Sequence, residues 1–248
     1  MLLEARDVTM AFGAFRAVSN ANLELQEGEM IGLIGPNGAG KSTFFNCLAG
    51  DLVPTAGRVV FDGVDVTRAA PEVHARLGIG RTFQVPATFA DMTVLENVMV
   101  GAFLRHPHRG EARDAALRVI EMTGLQELAG QPARNLGTPN RKRLEIARVM
   151  ATEPRLVLLD EALAGLTPAE IQRAIDVVRE IHQTGITLVI VEHIMEVIVT
   201  LAQRVLVFNQ GHVIASGRPA EVMDDPQVIE AYLGRRAVGK APAREAAS

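Results

Sequence analysis

The chain has 248 residues, 48% hydrophobic and 22% charged, with a formal net charge of −4. That length can bury a sizeable core, as one large α/β domain or as a core with a subdomain, and the composition is ordinary for a soluble globular protein. The acidic balance gives no case for a nucleic-acid partner held by bulk electrostatics, and a single cysteine, Cys47, excludes an internal disulfide framework and fits a reducing compartment.

The opening "MLLEARDVTM" lacks a basic start followed by an apolar run, so no signal peptide is expected. "MIGLIG" (30–35) is a short continuous apolar run, the pattern of a strand buried in a parallel sheet. "GPNGAGKS" follows it directly, from Gly35 to Ser42, and satisfies G-x-x-x-x-G-K-[ST] between a strand and a helical segment. The residue types explain the chemistry. Gly38 and Gly40 let the backbone curl so that successive N–H groups point at phosphate oxygens, and the helix starting near Lys41 adds its positive end. Lys41 supplies a cation to the β- and γ-phosphates, and the Ser42 hydroxyl is a Mg²⁺ ligand. Gly35, Pro36, Asn37, Ala39 and Thr43 complete the cradle. Cys47, in "FFNCLAG" on the helix behind it, reads as a small buried hydrophobe.

"VVFDGVDV" (59–66) alternates around Asp62-Gly63, a hairpin signal. "RTFQ" closes a further expected strand and leaves Gln84 at its end. Thr93 with Glu96 forms a capping box before "VLENVMVGAFL". Residues 86–152 are mostly helical in pattern and contain no buried-strand run, so they are expected to form a helical subdomain inserted between core segments 1–85 and 153–234. His106 and His108 in "RHPHRG" sit in an expected solvated loop, without the carboxylate or cysteine support a metal site needs. The core resumes with "LVLLDE", an apolar strand ending in Asp160, the metal-side carboxylate of a P-loop NTPase, followed by Glu161, which could accept a proton from an attacking water. "TPAEIQRAIDVVREIHQTG" predicts a helix with Thr167 as N-cap, Pro168 at N1, Glu170 closing a capping box and Gly185 past its end. "TLVIVE" (187–192) predicts another buried strand, with His193 just beyond. The apolar stretch 186–201 is interrupted by Glu192, His193 and Glu196 and falls short of the roughly 20 apolar residues of a membrane span, so any membrane association is expected to go through a partner. The tail 235–248 has little to bury and is expected to be disordered.

Three strand ends, at Gly35, Asp160 and His193, together with Gln84, should open on one edge of the sheet, where ligands of such sheets bind. On these motifs and their order the chain resembles the nucleotide-binding subunits of ABC transporters along nearly its whole length. The resemblance implies a P-loop (RecA-like) α/β core with an antiparallel β subdomain and an inserted helical subdomain. It also implies ATP with Mg²⁺ held by Ser42, Gln84 and Asp160, Glu161 as general base and His193 as the switch histidine on the γ-phosphate. Gln84 becomes the link between metal, water and membrane subunits, and Phe12 in "MAFGAF" the aromatic that stacks on adenine, with Val18 beneath it. "GIGRTFQVPATFADMTVLENV", "RLEIARVMATEP" and "DPQVIEAYLG" look like the ATPases of bacterial branched-chain amino acid importers, with urea and short-amide importers sharing much of the pattern. The partners implied are transmembrane permease subunits and a second ATPase, the same chain or a related one, on the cytoplasmic face of the inner membrane. A soluble ABC protein acting on DNA or ribosomes would show a long coiled coil or tandem cassettes, and neither is present.

One stretch departs from that family. Where its signature reads close to LSGGQ, this chain has "LGTPN": Leu136 is kept, Gly137 stands for serine, Thr138 and Pro139 for the two glycines, and Asn140 for glutamine. Thr138 is expected to cap the helix with Pro139 at N1. Proline has no N–H to offer a phosphate, so the expectation is an impaired half-site on an intact helix. A nucleotide-binding subunit with little intrinsic turnover is the alternative.

Overall fold

The computed structural model describes residues 1–233; the expected tail 235–248 lies outside them. Continuous apolar runs become the centre of a six-stranded sheet, ordered β10-β9-β3-β8-β7-β6. Its strands are β3 (Met30–Ile34), β6 (Ile79–Arg81), β7 (Leu156–Asp160), β8 (Thr187–Val191), β9 (Arg204–Asn209) and β10 (His212–Gly217). The first five run parallel, and β10 returns antiparallel beside β9. Every residue of β3, β7 and β8 is buried, because helices or a second sheet cover both faces.

Alternate side chains feed two cores. Ile31, Leu33, Leu156, Leu158, Val189 and Val191 pack toward α1 (Lys41–Ala49) and a four-stranded antiparallel sheet. That sheet comprises β1 (Leu3–Phe12), β2 (Phe15–Leu25), β4 (Ala56–Phe61) and β5 (Val64–Asp65), in the order β2-β1-β4-β5. Met30, Ile34, Val157, Leu159, Leu188 and Ile190 pack the other way, against α6 (Pro168–Gln183) and α7 (Met195–Leu201). Burying one such side chain contributes about 1.5–3 kcal/mol, so the alternation holds the strand register firmly.

Local signals act where they were expected. Asp62 and Gly63 both take positive φ (48° and 79°), as a two-residue turn between β4 and β5 requires. Thr167 N–H donates to the Glu170 carboxylate at 2.8 Å, and Thr93 with Glu96 forms the same box.

Between β6 and β7 lie α2's successors α3 (Val94–Ala102), α4 (Arg109–Met122) and α5 (Thr138–Met150), α2 itself being Pro71–Leu77. They enclose an apolar cluster of their own, including Val98, Ala116, Ile120, Leu144 and Ala147. The start of α5 differs from the expectation by one residue. Gly137 is the N-cap, its carbonyl accepting the Arg141 N–H at 3.0 Å, so Thr138 is N1 and Pro139 is N2, and no side chain caps the helix. Proline is tolerated at N2 for the same reason as at N1, since neither N–H has an intrahelical partner. His106 does have a carboxylate partner, contrary to expectation. Its Nε2 lies 2.7 Å from Glu153, which is distant in sequence. Among the described residues no group of three or more His, Cys, Asp or Glu could hold a metal ion, and no helix is long and apolar enough to cross a membrane.

Candidate active site

Parallel pairing sets Asp160 beside Val191 and Leu33 beside Val191, so β3, β7 and β8 end at one level. Their continuations face a cavity of about 710 Å³, lined by residues 37–43 with Phe15, Ala17, Gln84, Glu161 and His193. Gly40 caps α1 with φ 104°, and its backbone lies against Ala17, where a Cβ would come within 2.4 Å of the Ala17 carbonyl oxygen. The first turn of α1 contains no acidic residue, so its orphan N–H groups meet no competing charge there.

Lys41 is buried, and its Nζ donates to the Gly35 and Pro36 carbonyls at 2.6 and 3.0 Å. Burial pushes its pKa down, while the nearby Glu161 charge works against that. The lysine is therefore held along the loop by backbone acceptors. A polyphosphate suits this donor set of backbone N–H groups, an ammonium and two hydroxyls. Asp160 does not line the cavity. It sits just behind, buried, with Oδ2 3.7 Å from Arg81 Nη2, and burial raises its pKa while the Arg81 charge opposes the rise. A carboxylate and a hydroxyl are the oxygen ligands a hard divalent cation takes.

Glu161 joins the site's polar ends. Gln84 Nε2 donates to its Oε2 at 2.8 Å, and His193 Nε2 lies 2.7 Å from its Oε1. A carboxylate can only accept, so Nε2 of His193 carries the proton in this pair. The backbone of Glu161 is left-handed, φ 47°, which costs a residue with a Cβ about 1–2 kcal/mol. Three bonds hold it there: its N–H donates to Val191 O at 2.9 Å, and its carbonyl accepts from Lys142 Nζ at 3.0 Å and from the Ala164 N–H at 3.2 Å.

The strand before Gln84 is shorter than "RTFQ" suggested. It stops at Arg81; Thr82 N–H still donates to Leu158 O, but Phe83 N–H is taken by the Glu145 carboxylate at 2.8 Å, which turns the chain away. Thr82 is fully buried and its hydroxyl accepts the Asp160 N–H at 3.0 Å. Val18, expected beneath the stacking aromatic, is fully buried beside Gly40 and is not among the residues that line the cavity. Phe12 and Phe15 are paired across the β1–β2 turn, both exposed, and Phe15 is the one that lines the cavity. Gly137, Thr138 and Asn140 lie outside this cavity. Pro139 and Asn140 border a separate cleft of about 200 Å³ against Leu166 and Glu170, and Asn140 Oδ1 accepts from Arg143.

Sequence patterns did not single out Arg81, Thr82, Lys142, Glu145 or Glu192. Glu192 is buried, its Oε1 accepts the Leu163 N–H at 2.8 Å, and burial raises its pKa. A charged residue inside an apolar run was the available signal.

The ABC transporter family model matches residues 18–164, and a model described as branched-chain amino acid ATP-binding cassette transporter matches residues 212–238. LivG of Escherichia coli K12, a high-affinity branched-chain amino acid transport ATP-binding protein, is 40% identical over 94% of this chain and 98% of its own length. BraF of Pseudomonas aeruginosa, of the same description, is 38% identical over the same shares. A solved nucleotide-free ATP-binding cassette from an ABC transporter is 30% identical, with a TM-score of 0.85 over 93% of this chain and 98% of its own. The ADP conformation of MJ1267, an ATP-binding cassette of an ABC transporter, is 31% identical, with a TM-score of 0.85 over 94% and 98%.

Proposed function

The chain belongs to the ABC transporter ATPases, and from that premise we propose that it is the energy-coupling subunit of an importer of branched-chain amino acids. The observation that carries the catalytic reading is the Glu161 carboxylate at the mouth of the P-loop cavity, bridged to Gln84 and His193. In this reading Glu161 takes the proton of a water whose oxygen attacks the γ-phosphorus, the bond to the bridging oxygen breaks, and ADP leaves with that electron pair. Lys41 and the α1 N-terminus hold the phosphates, and His193 orients toward the γ-phosphate. Ser42, Asp160 and Gln84 hold Mg²⁺, which neutralises phosphate charge. Phe12 or its neighbour Phe15 supplies the aromatic face for adenine.

Permease subunits are the membrane partners. A groove of about 270 Å³ lined by Ala49, Pro71, Phe83, Ala87, Val100 and Val149 supports this, with exposed Val85, Phe89 and Phe103 on segments 83–103 nearby. The chain works at the cytoplasmic face, paired with a second ATPase. A related chain with an intact signature suits the pair best, because Pro139 at N2 removes one of the few N–H groups that α5 could offer a partner's nucleotide. That same observation favours a second reading, a subunit that binds ATP and turns it over slowly. A lost charge-assisted hydrogen bond costs roughly 1.5–3 kcal/mol.

The test is reconstitution of the chain with the permease subunits and binding protein of its own system in liposomes, with ATP inside and labelled solute supplied on the binding-protein side. ATP-dependent uptake of leucine, isoleucine or valine is expected. Uptake of urea or short amides instead would replace the solute, and binding of ATP without hydrolysis or uptake would favour the second reading.

A further inference from the structure

Helix α5 begins at the degenerate "LGTPN" stretch, yet its first turns also reach back into this chain's own site. Lys142 and Glu145, three positions apart and hence on one helix face, are both nearly fully buried. Lys142 Nζ donates to the Glu161 carbonyl at 3.0 Å, and the Glu145 carboxylate accepts the Phe83 N–H at 2.8 Å. Glu161 and Gln84, the residue after Phe83, are themselves joined side chain to side chain at 2.8 Å. One turn of α5 therefore grips the backbone on both sides of the Gln84–Glu161 bond. Glu161 uses such a grip, because its left-handed backbone is disfavoured and its other backbone ties are the N–H to Val191 and a longer 3.2 Å bond from the Ala164 N–H to its carbonyl.

The geometry points to Lys142 and Glu145 as positioning residues that set the catalytic carboxylate from the signature helix of the same chain. A shift of α5, whose N-terminus faces the partner subunit in the reading above, is transmitted to Glu161 through Lys142 and to Gln84 through Glu145. The helix thus keeps a role in this chain's own hydrolysis even where its N-terminal phosphate contacts are weakened. The inference rests on the reading of Glu161 as general base. Neither side chain touches substrate in it.

The experiment compares steady-state hydrolysis and MgATP binding for the full chain in its functional pair, with Lys142→Met, Lys142→Arg, Glu161→Gln and the double variant Lys142→Met/Glu161→Gln. Lys142→Met is expected to lower kcat by about ten- to a hundredfold, as an ångström-scale misplacement does. KM and binding should stay within about twofold, and Lys142→Arg, which keeps a buried donor, should recover most of the rate. In the double variant the lysine change should add nothing further. A wild-type kcat in Lys142→Met beside an inactive Glu161→Gln overturns the proposal and leaves the general base standing. An active Glu161→Gln instead removes the base reading and the proposal with it. Should Lys142→Met not fold, Lys142→Gln takes its place; loss of MgATP binding in a folded variant, or a kcat loss that persists in the Glu161→Gln background, marks the lysine as merely structural.

Discussion

The carboxylate of Glu161 and the imidazole of His193 are joined by a 2.7 Å hydrogen bond across the ends of β7 and β8, and Gln84 occupies the other carboxylate oxygen. Two protein donors thus hold one acceptor, and each of its oxygens keeps a lone pair that, in the proposed role, takes the proton of water. Glu161→Gln keeps the shape and removes the basicity. Phosphate release should fall at least about a hundredfold while nucleotide affinity holds, measured by steady-state hydrolysis beside titration with a fluorescent ATP analogue. A variant that still turns over would move the base elsewhere.

Restoring the family signature with Gly137→Ser, Thr138→Gly, Pro139→Gly and Asn140→Gln returns an N–H at N2 and a hydroxyl at the N-cap of α5. In the chain studied alone, hydrolysis should rise by about tenfold or more, within the range a single aimed donor commands. An unchanged rate over an already active parent would make "LGTPN" a working variant, and the case for an unlike partner would weaken.

Gly40 stands at φ 104° with the Ala17 carbonyl where its side chain would be. Gly40→Ala combines a backbone penalty of about 1–2 kcal/mol with that collision. Calorimetry should record a Tm at least about 3 °C lower, and ATP binding should weaken with it as the loop shifts.

Glu192 gives a pH test with a definite sign. Burial holds its carboxyl above the ordinary carboxylate range, so in that window the folded chain binds more protons than the unfolded one. Stability from this group is full below the unfolded value, is lost as pH rises through the window, and stays lost above the folded value. Glu192→Gln does not titrate. Its Tm relative to the parent should therefore be more favourable at about pH 7 than at about pH 4. The reverse trend would mean that the Leu163 N–H and the Lys142 charge outweigh the burial.

Cys47 is buried on α1, with its thiol pushed up to about 11. At about pH 8 only roughly one thiol in a thousand is ionised, so native protein should resist a maleimide or disulfide probe that labels unfolded protein at once. Rapid native labelling would show that α1 opens.

Much of this protein was decided by contiguous residues. The P-loop, the buried strands, the Asp62-Gly63 turn and the capping boxes at Thr93 and Thr167 each depend on backbone conformation or hydrogen bonds within a few positions, so the order of letters carries the physics directly. Gly35 to Thr43, Asp160 and His193 could be placed at one sheet edge for the same reason, since parallel strands of similar length end together. What only the tertiary structure decided involves partners distant in the chain. Lys142 finds the Glu161 carbonyl, Glu145 ends β6 by taking the Phe83 amide, and Glu192 holds Leu163. Val18 is buried beside Gly40, and of the pair Phe12 and Phe15 that closes the β1–β2 ladder it is Phe15 that lines the cavity. A buried charge has no sequence signature for its partner. Its cost of desolvation is fixed by residue type, but what offsets that cost is known only once the chain has brought distant backbone groups within 3 Å.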